Sequence, residues 1–185
     1  MVTKKSVKSS TQKTATRSSR KTASKKAAPS KTQKSEAIAQ LTADHARVKK
    51  MFKQYDRLAK ADAGSSERQQ LAKTICAELV AHATAEEELF YPAARKALAE
   101  PDLIDEADVE HASAKDLIAQ IESSSPSDDH YDAKVKVLGE YINHHVQEEE
   151  GEMFPKVRRA KVDTVTLGQQ IEARKAELMQ AKAKA

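Results

Sequence analysis

From Glu36 onward, apolar residues recur every three or four positions, and only a few short breaks interrupt the pattern. Ile38, Leu41, Val48, Phe52 and Tyr55 fall on one helical face, with Ser35 as a candidate N-cap. Gly64, Ser65 and Ser66 end this helix. A second is expected from about Glu67, with Leu71, Ile75, Leu79, Leu89 and Phe90 inward and Pro92 kinking or ending it. Pro101 opens a third, carrying Ile104, Leu117, Ile118 and Ile121, and the Ser-Ser-Ser-Pro-Ser run at 123–127 closes it. The fourth runs from about Asp128 to Pro155 with Val135, Leu138, Ile142 and Val146 inward. A fifth begins after Asp163 or Thr164, with Val165, Leu167, Ile171, Leu178 and Met179 as its stripe. The first four are each about 20–28 residues, roughly 30–40 Å long. Long amphipathic helices joined by short loops lie antiparallel to their neighbours, so the expected fold is all-α. It is an up-down four-helix bundle over residues 36–160, with a further helix in 161–185 that lies across the bundle or pairs with a partner.

Residues 1–35 break the pattern. They hold eleven Lys and Arg, no acid, and almost no large apolar side chain, so they cannot bury enough surface to offset the entropy of ordering and are expected to form a disordered tail. The formal charge of +4 therefore conceals a polar division, because the other 150 residues carry 21 basic and 28 acidic side chains. Eleven cations without aromatics attract phosphates irrespective of sequence, which makes nucleic acid a candidate partner for the tail. A single cysteine, Cys76, allows no internal disulfide, and no apolar run approaches a membrane span. The expectation is a reducing, cytoplasmic compartment without a membrane partner.

The chemistry lies in a repeat. "HATAEEELFYP" (82–92) aligns with "HVQEEEGEMFP" (145–155): each reads H-x-x-x-E-E, then an aromatic and a proline nine and ten residues after the histidine. "DHARVK" (44–49) aligns with "EHASAK" (110–115), so the bundle reads as a duplicated helical hairpin. Residues four apart share a helix face, so His82 with Glu86 and His145 with Glu149 each present an imidazole and a carboxylate to one point. His45 and His111 fall on the inward stripes of the first and third helices. Two ionised carboxylates in a core are heavily penalised unless a cation joins them. Imidazole nitrogen with carboxylate oxygen suits iron, manganese or zinc better than magnesium or calcium, and two glutamates able to bridge suit a pair of ions. Ferritin-like bundles place glutamate first with a spacing of three, the reverse of the order here.

The lone histidine on the first helix, H-x-x-x-E on the second, E-H on the third and H-H-x-x-E-E-E on the fourth resemble the hemerythrin-like (HHE cation-binding) family over about residues 36–160. The resemblance implies a non-haem centre of two iron ions, oxo- or hydroxo-bridged. His45, His82, His111 and His145 would be its nitrogen ligands, and Glu86 and Glu149 its carboxylates. It implies a protein that binds or senses dioxygen, nitric oxide, peroxide or iron itself in iron, oxidative or nitrosative stress. Peroxide removal or oxidation at the same centre is one alternative, and a DNA-associated protein that responds to iron or redox state through its basic tail is another. Oxygen-carrying hemerythrins have a second histidine four residues after the one on the third helix, where this chain has Lys115. Coordination positions left open by that replacement disfavour reversible oxygen storage.

Other polar residues have plainer readings. His144 points about 100° away from His145 and reads as surface or as a supporting group, and His130 sits at a loop edge. Glu87, Glu88, Glu148 and Glu150 read as a solvated face, with an extra oxygen ligand among them as the alternative; Asp44 and Glu110 read as groups that orient their neighbours or line an access path, and Cys76 as packing.

Overall fold

The computed structural model describes residues 36–61, 64–100 and 102–184. The expected tail at 1–35 and the helix-opening role of Pro101 lie outside those residues. The helices are α1 (Ala37–Lys60), α2 (Ser65–Ala85), α3 (Tyr91–Ala97), α4 (Asp102–Glu122), α5 (Tyr131–Glu148), α6 (Phe154–Arg159) and α7 (Thr164–Lys184). Among the described residues there is no strand, and no helix is long and apolar enough to cross a membrane. α1 packs on α2 and α5, and α4 on the same two, closing the antiparallel bundle of the predicted order.

The first helix is capped by Glu36 and not by Ser35, because the Glu36 carboxylate accepts from the backbone N–H of Ile38 (3.3 Å) and Ala39 (3.0 Å). α2 starts two residues earlier than its pattern suggests and α5 three residues later, since 123–130 form turns ending at His130 with φ 68°.

Neither Pro92 nor Pro155 stops its helix. Each follows a single wide turn, Glu86–Phe90 and Glu149–Met153, in which the N–H of Tyr91 reaches the carbonyl of Glu86 and that of Phe154 reaches Glu149. A proline inside an ordinary α-helix leaves one carbonyl unpaired and presses on it. One extra residue in the turn before it relieves that conflict and rotates Phe90 and Tyr91 inward together.

The apolar residues form two cores stacked along the bundle. One contains Ile38, Leu41, Phe90, Ile104, Met153, Phe154 and Ile171; the other contains Val48, Ile75, Leu79, Ile118, Leu138, Ile142 and Val146. On α1, α2 and α4 the boundary falls at the histidine, as in α1, where His45 lies between Leu41 and Val48. The buried polar residues Asp44, His45, His82, Glu86, His111, His145 and Glu149 thus form one layer between two oily blocks.

α7 lies on the bundle, against α1, α2 and the wide turn after α2. Leu167 and Ile171 enter the first core and the Gly168 carbonyl accepts from Gln40 at 2.9 Å, whereas Val165 is exposed. Ile171 is fully buried. Ile171→Ala is expected to lower unfolding free energy by about 2–5 kcal/mol in a denaturant titration, as in a main core; a loss below about 1 kcal/mol would mean that α7 is only loosely attached.

Candidate metal centre

All six residues singled out by the repeat converge in the polar layer. Two imidazole pairs face one another through Nε2, His45 with His82 and His111 with His145, each pair 3.2 Å apart. The glutamates join the pairs crosswise. Glu86 Oε2 lies 3.0 Å from His82 Nε2 and 3.5 Å from His111 Nε2; Glu149 Oε2 lies 3.2 Å from His45 Nε2 and 3.5 Å from His145 Nε2. Each carboxylate therefore reaches one nitrogen of each pair, the disposition of a bridging group.

The orientation of the rings follows from what lies behind them. Every Nδ1 faces a carboxylate oxygen: His45 on Glu150 at 2.9 Å, His82 on Asp44 at 3.4 Å, His111 on Glu87 at 3.0 Å and His145 on Glu110 at 2.7 Å. An ionised carboxylate only accepts, so each Nδ1–H donates outward and each Nε2 turns inward. The supports run in a ring around the bundle, α1 to α2, α2 to α4, α4 to α5, α5 to α1. Asp44 and Glu110 thus orient neighbouring imidazoles, those of His82 and His145. Glu87 and Glu150, read from sequence as a solvated face, do so as well, while Glu88 is exposed and pairs with Arg174. Lys115, four residues after His111, bonds Glu87 at 2.5 and 2.7 Å behind that ring. His144 and His130 are exposed and Cys76 is buried in packing, as expected.

Tyr91 is the residue whose role was missed. Its hydroxyl donates to Glu149 Oε1 at 3.1 Å and lies 3.2 Å from His111 Nε2, with its ring stacked on that imidazole. Phe154, its counterpart in the repeat, stacks on His45 with ring centroids 5.7 Å apart and brings no hydroxyl. The aromatic before each proline was the available signal.

Charge within the layer is in conflict. For Glu149, burial opposes ionisation, but His145 and His45 outweigh it and hold the carboxyl well below the usual range. For Glu86, burial and then repulsion from Glu149 push the carboxyl up. Burial depresses His82, but Glu86, Asp44 and Glu149 more than reverse this and raise it to about 9. Burial likewise opposes His145, yet Glu110 and Glu149 raise it to about 10. Burial and then the charge of His145 drive His111 down to about 3. Burial, the repulsion between the two glutamates and that between neighbouring imidazoles thus pull Glu86, Glu149, His82, His111 and His145 in opposing directions.

A cation fits among these groups. Both oxygens of Glu86 and Oε2 of Glu149 are buried without a hydrogen bond; the neighbouring nitrogens are near, but their angles are not those of one. Two nitrogens about 2.1 Å from one ion at tetrahedral to octahedral angles stand roughly 2.9–3.4 Å apart, which brackets both imidazole pairs. Two ligand groups result: His45, His82, Glu86 and Glu149, then Glu86, His111 and His145.

The Hemerythrin HHE cation binding domain profile matches residues 36–157. The chain belongs to this family. A hemerythrin HHE cation binding domain-containing protein of Mycobacterium kansasii has the same fold, with a TM-score of 0.64 at 24% identity over 79% of this chain and 88% of that one. A protein of Nostoc sp. (strain PCC 7120 / SAG 25.82 / UTEX 2576) described as a DNA nickase is 37% identical over 81 residues, 44% of this chain. The match spans only 23% of that relative's length. As a member of the HHE family, the chain is a cation-binding protein whose buried histidine and glutamate cluster fits the ion.

Glu87→Gln keeps the size of a supporting group but removes its charge, and is expected to weaken cation affinity by about 10–100-fold while helical content in circular dichroism stays unchanged. Wild-type affinity in the variant, measured by competition with a chelator, would show that the His111–Glu87 bond has no bearing on the centre.

Proposed function

We propose that His45, His82, His111 and His145, with Glu86 and Glu149 bridging, hold two iron ions. We further propose that this centre binds or senses a small ligand such as dioxygen, nitric oxide or peroxide, or reports iron itself. The observation that carries the reading is the pair of fully buried glutamates with orphaned oxygens among four inward Nε2 atoms. Bound there, iron would supply Lewis acidity and one-electron redox chemistry.

The chain's own residues set what can reach the site. Beside the four histidines lies a cavity of about 20 Å³, bordered by Asp44 and Lys115 and otherwise walled by apolar side chains such as Val48, Leu79, Ile118 and Ile142. That is room for about one water-sized molecule, so its apolar walls favour a diatomic and exclude larger substrates. The two oily blocks keep bulk water from the layer, and the outer carboxylates hold the imidazoles in place before any ligand arrives.

The enzymatic alternative draws support from Tyr91, whose hydroxyl holds a proton at Glu149 Oε1, next to His111 Nε2. Burial and the two glutamates push its pKa up, so the phenol keeps that proton near neutral pH and can present it to a bound peroxide.

Nucleic acid remains the proposed partner of residues 1–35, on the strength of eleven cations without an acid. The Nostoc relative's description as a DNA nickase is compatible with that partner.

Anaerobic reconstitution with ferrous iron is expected to give about two irons per chain by elemental analysis, with spectral changes on adding dioxygen, nitric oxide or peroxide. His82→Ala should lose the metal pair; a fully loaded His82→Ala protein would overturn the ligand assignment. Peroxide consumption that exceeds free iron and falls by roughly 10²-fold or more in a fully loaded Tyr91→Phe variant would establish the enzymatic reading, and none above free iron would remove it. For the tail, deleting residues 1–35 is expected to abolish DNA retardation at moderate salt; unchanged retardation defeats that partner.

A further inference from the structure

The ring of supporting carboxylates is asymmetric at one point. The repeat places Asp44 over Glu110, Arg47 over Ser113, Ala81 over His144 and Ala85 over Glu148. In the first half, Asp44 holds His82, and protein cations meet its charge: Arg47 Nη2 lies 2.5 Å from Oδ1, and Lys175 of α7 bonds Oδ2. In the second half, Glu110 holds His145 through Oε2 at 2.7 Å, but among the described residues no lysine or arginine pairs with it. Ser113 replaces the arginine, and the two alanines flanking the matching ligand have become a histidine and a glutamate.

Those two replacements stand one turn apart on α5 and face Glu110 on α4. His144 Nε2 lies 3.3 Å from Glu148 Oε1 and 3.6 Å from Glu110 Oε1, the oxygen that His145 leaves unused. One donor atom from each of the three falls within 4.8 Å of the others. His144 is exposed and both glutamates are half-buried, so a hydrated ion can reach them. Glu110 and His144 also line a cleft of about 380 Å³ between α4 and α5 whose walls include His111 and His145.

We propose that Glu110, His144 and Glu148 form a peripheral site for a divalent transition-metal cation, occupying on Glu110 the place that Lys175 occupies on Asp44. One imidazole nitrogen with two carboxylate oxygens selects manganese, ferrous iron or zinc over magnesium and calcium. With its remaining positions filled by water, the ion is weaker and faster to exchange than one in the buried layer. Its charge bears on His145 through the shared Glu110 carboxylate, so occupancy strengthens or weakens the hydrogen bond that orients that ring. The site itself needs only the three surface side chains; its influence on His145 rests on the proposed role of that residue.

The test uses the full chain with the buried centre loaded first, then titrated with manganous ion and counted by equilibrium dialysis and electron paramagnetic resonance. The expected result is one further exchangeable manganese per chain. Its affinity drops by at least about ten-fold in His144→Ala and again in Glu148→Gln, while the tightly held ions and the helical circular dichroism stay as in wild type. No additional ion in wild type overturns the proposal, and so does an additional ion bound equally well by both variants. A chain that holds no tight ions yet binds one His144-dependent manganese would overturn the function proposed for the buried centre and uphold this site.

Discussion

Two glutamates buried among four imidazoles are the constraint around which the rest of the protein is arranged. Glu86 and Glu149 are almost entirely removed from water, close enough to repel, and turned toward the imidazole Nε2 atoms. An isolated layer of this kind would cost several kcal/mol per ion. It persists because oily blocks above and below supply the hydrophobic driving force, and because the layer is arranged to receive positive charge. The wide turns belong to the same arrangement: each begins at its glutamate and brings the following aromatic ring onto a histidine of the other half.

Stability and function make opposite demands on these residues. Filling the layer with leucine would satisfy the core, as helical bundles without a site do. Here the sequence spends six inward positions on ligand types and four more on their supports. Each histidine is held by a carboxylate from a neighbouring helix, so every pair of neighbours around the ring is tied by one bond. The bundle therefore orients the site, and the site in turn fixes how the helices meet.

Duplication explains the pattern, and departures from it are where individuality enters. Tyr91 in place of a second phenylalanine puts a hydroxyl on one side of the centre only. α7 covers the first half and delivers Lys175 to Asp44, while the second half stays open at Glu110 and acquires His144 and Glu148. Two halves that began alike thus offer different surroundings to what they hold.

Helix number, inward faces and the six convergent residues were legible from local rules, because the 3.6-residue period and the i, i+4 spacing act within one helix. The His82–Glu86 and His145–Glu149 pairs needed nothing more, and the repeated register implied that His45 and His111 join them. Pro92 and Pro155 misled because a helix tolerates proline when the turn before it widens, and a hydrogen-bonding pattern leaves no mark in residue types. Glu36 displaced Ser35 as cap because reach to the Ile38 and Ala39 amides depends on the local backbone path. Glu87 and Glu150 looked like solvated charges since their partners lie 24 and 105 residues away. What the chain settled by itself is which side chains face inward; which atoms they meet there was decided only when the helices packed, since hydrogen bonds between helices depend on distances that no spacing along one helix contains.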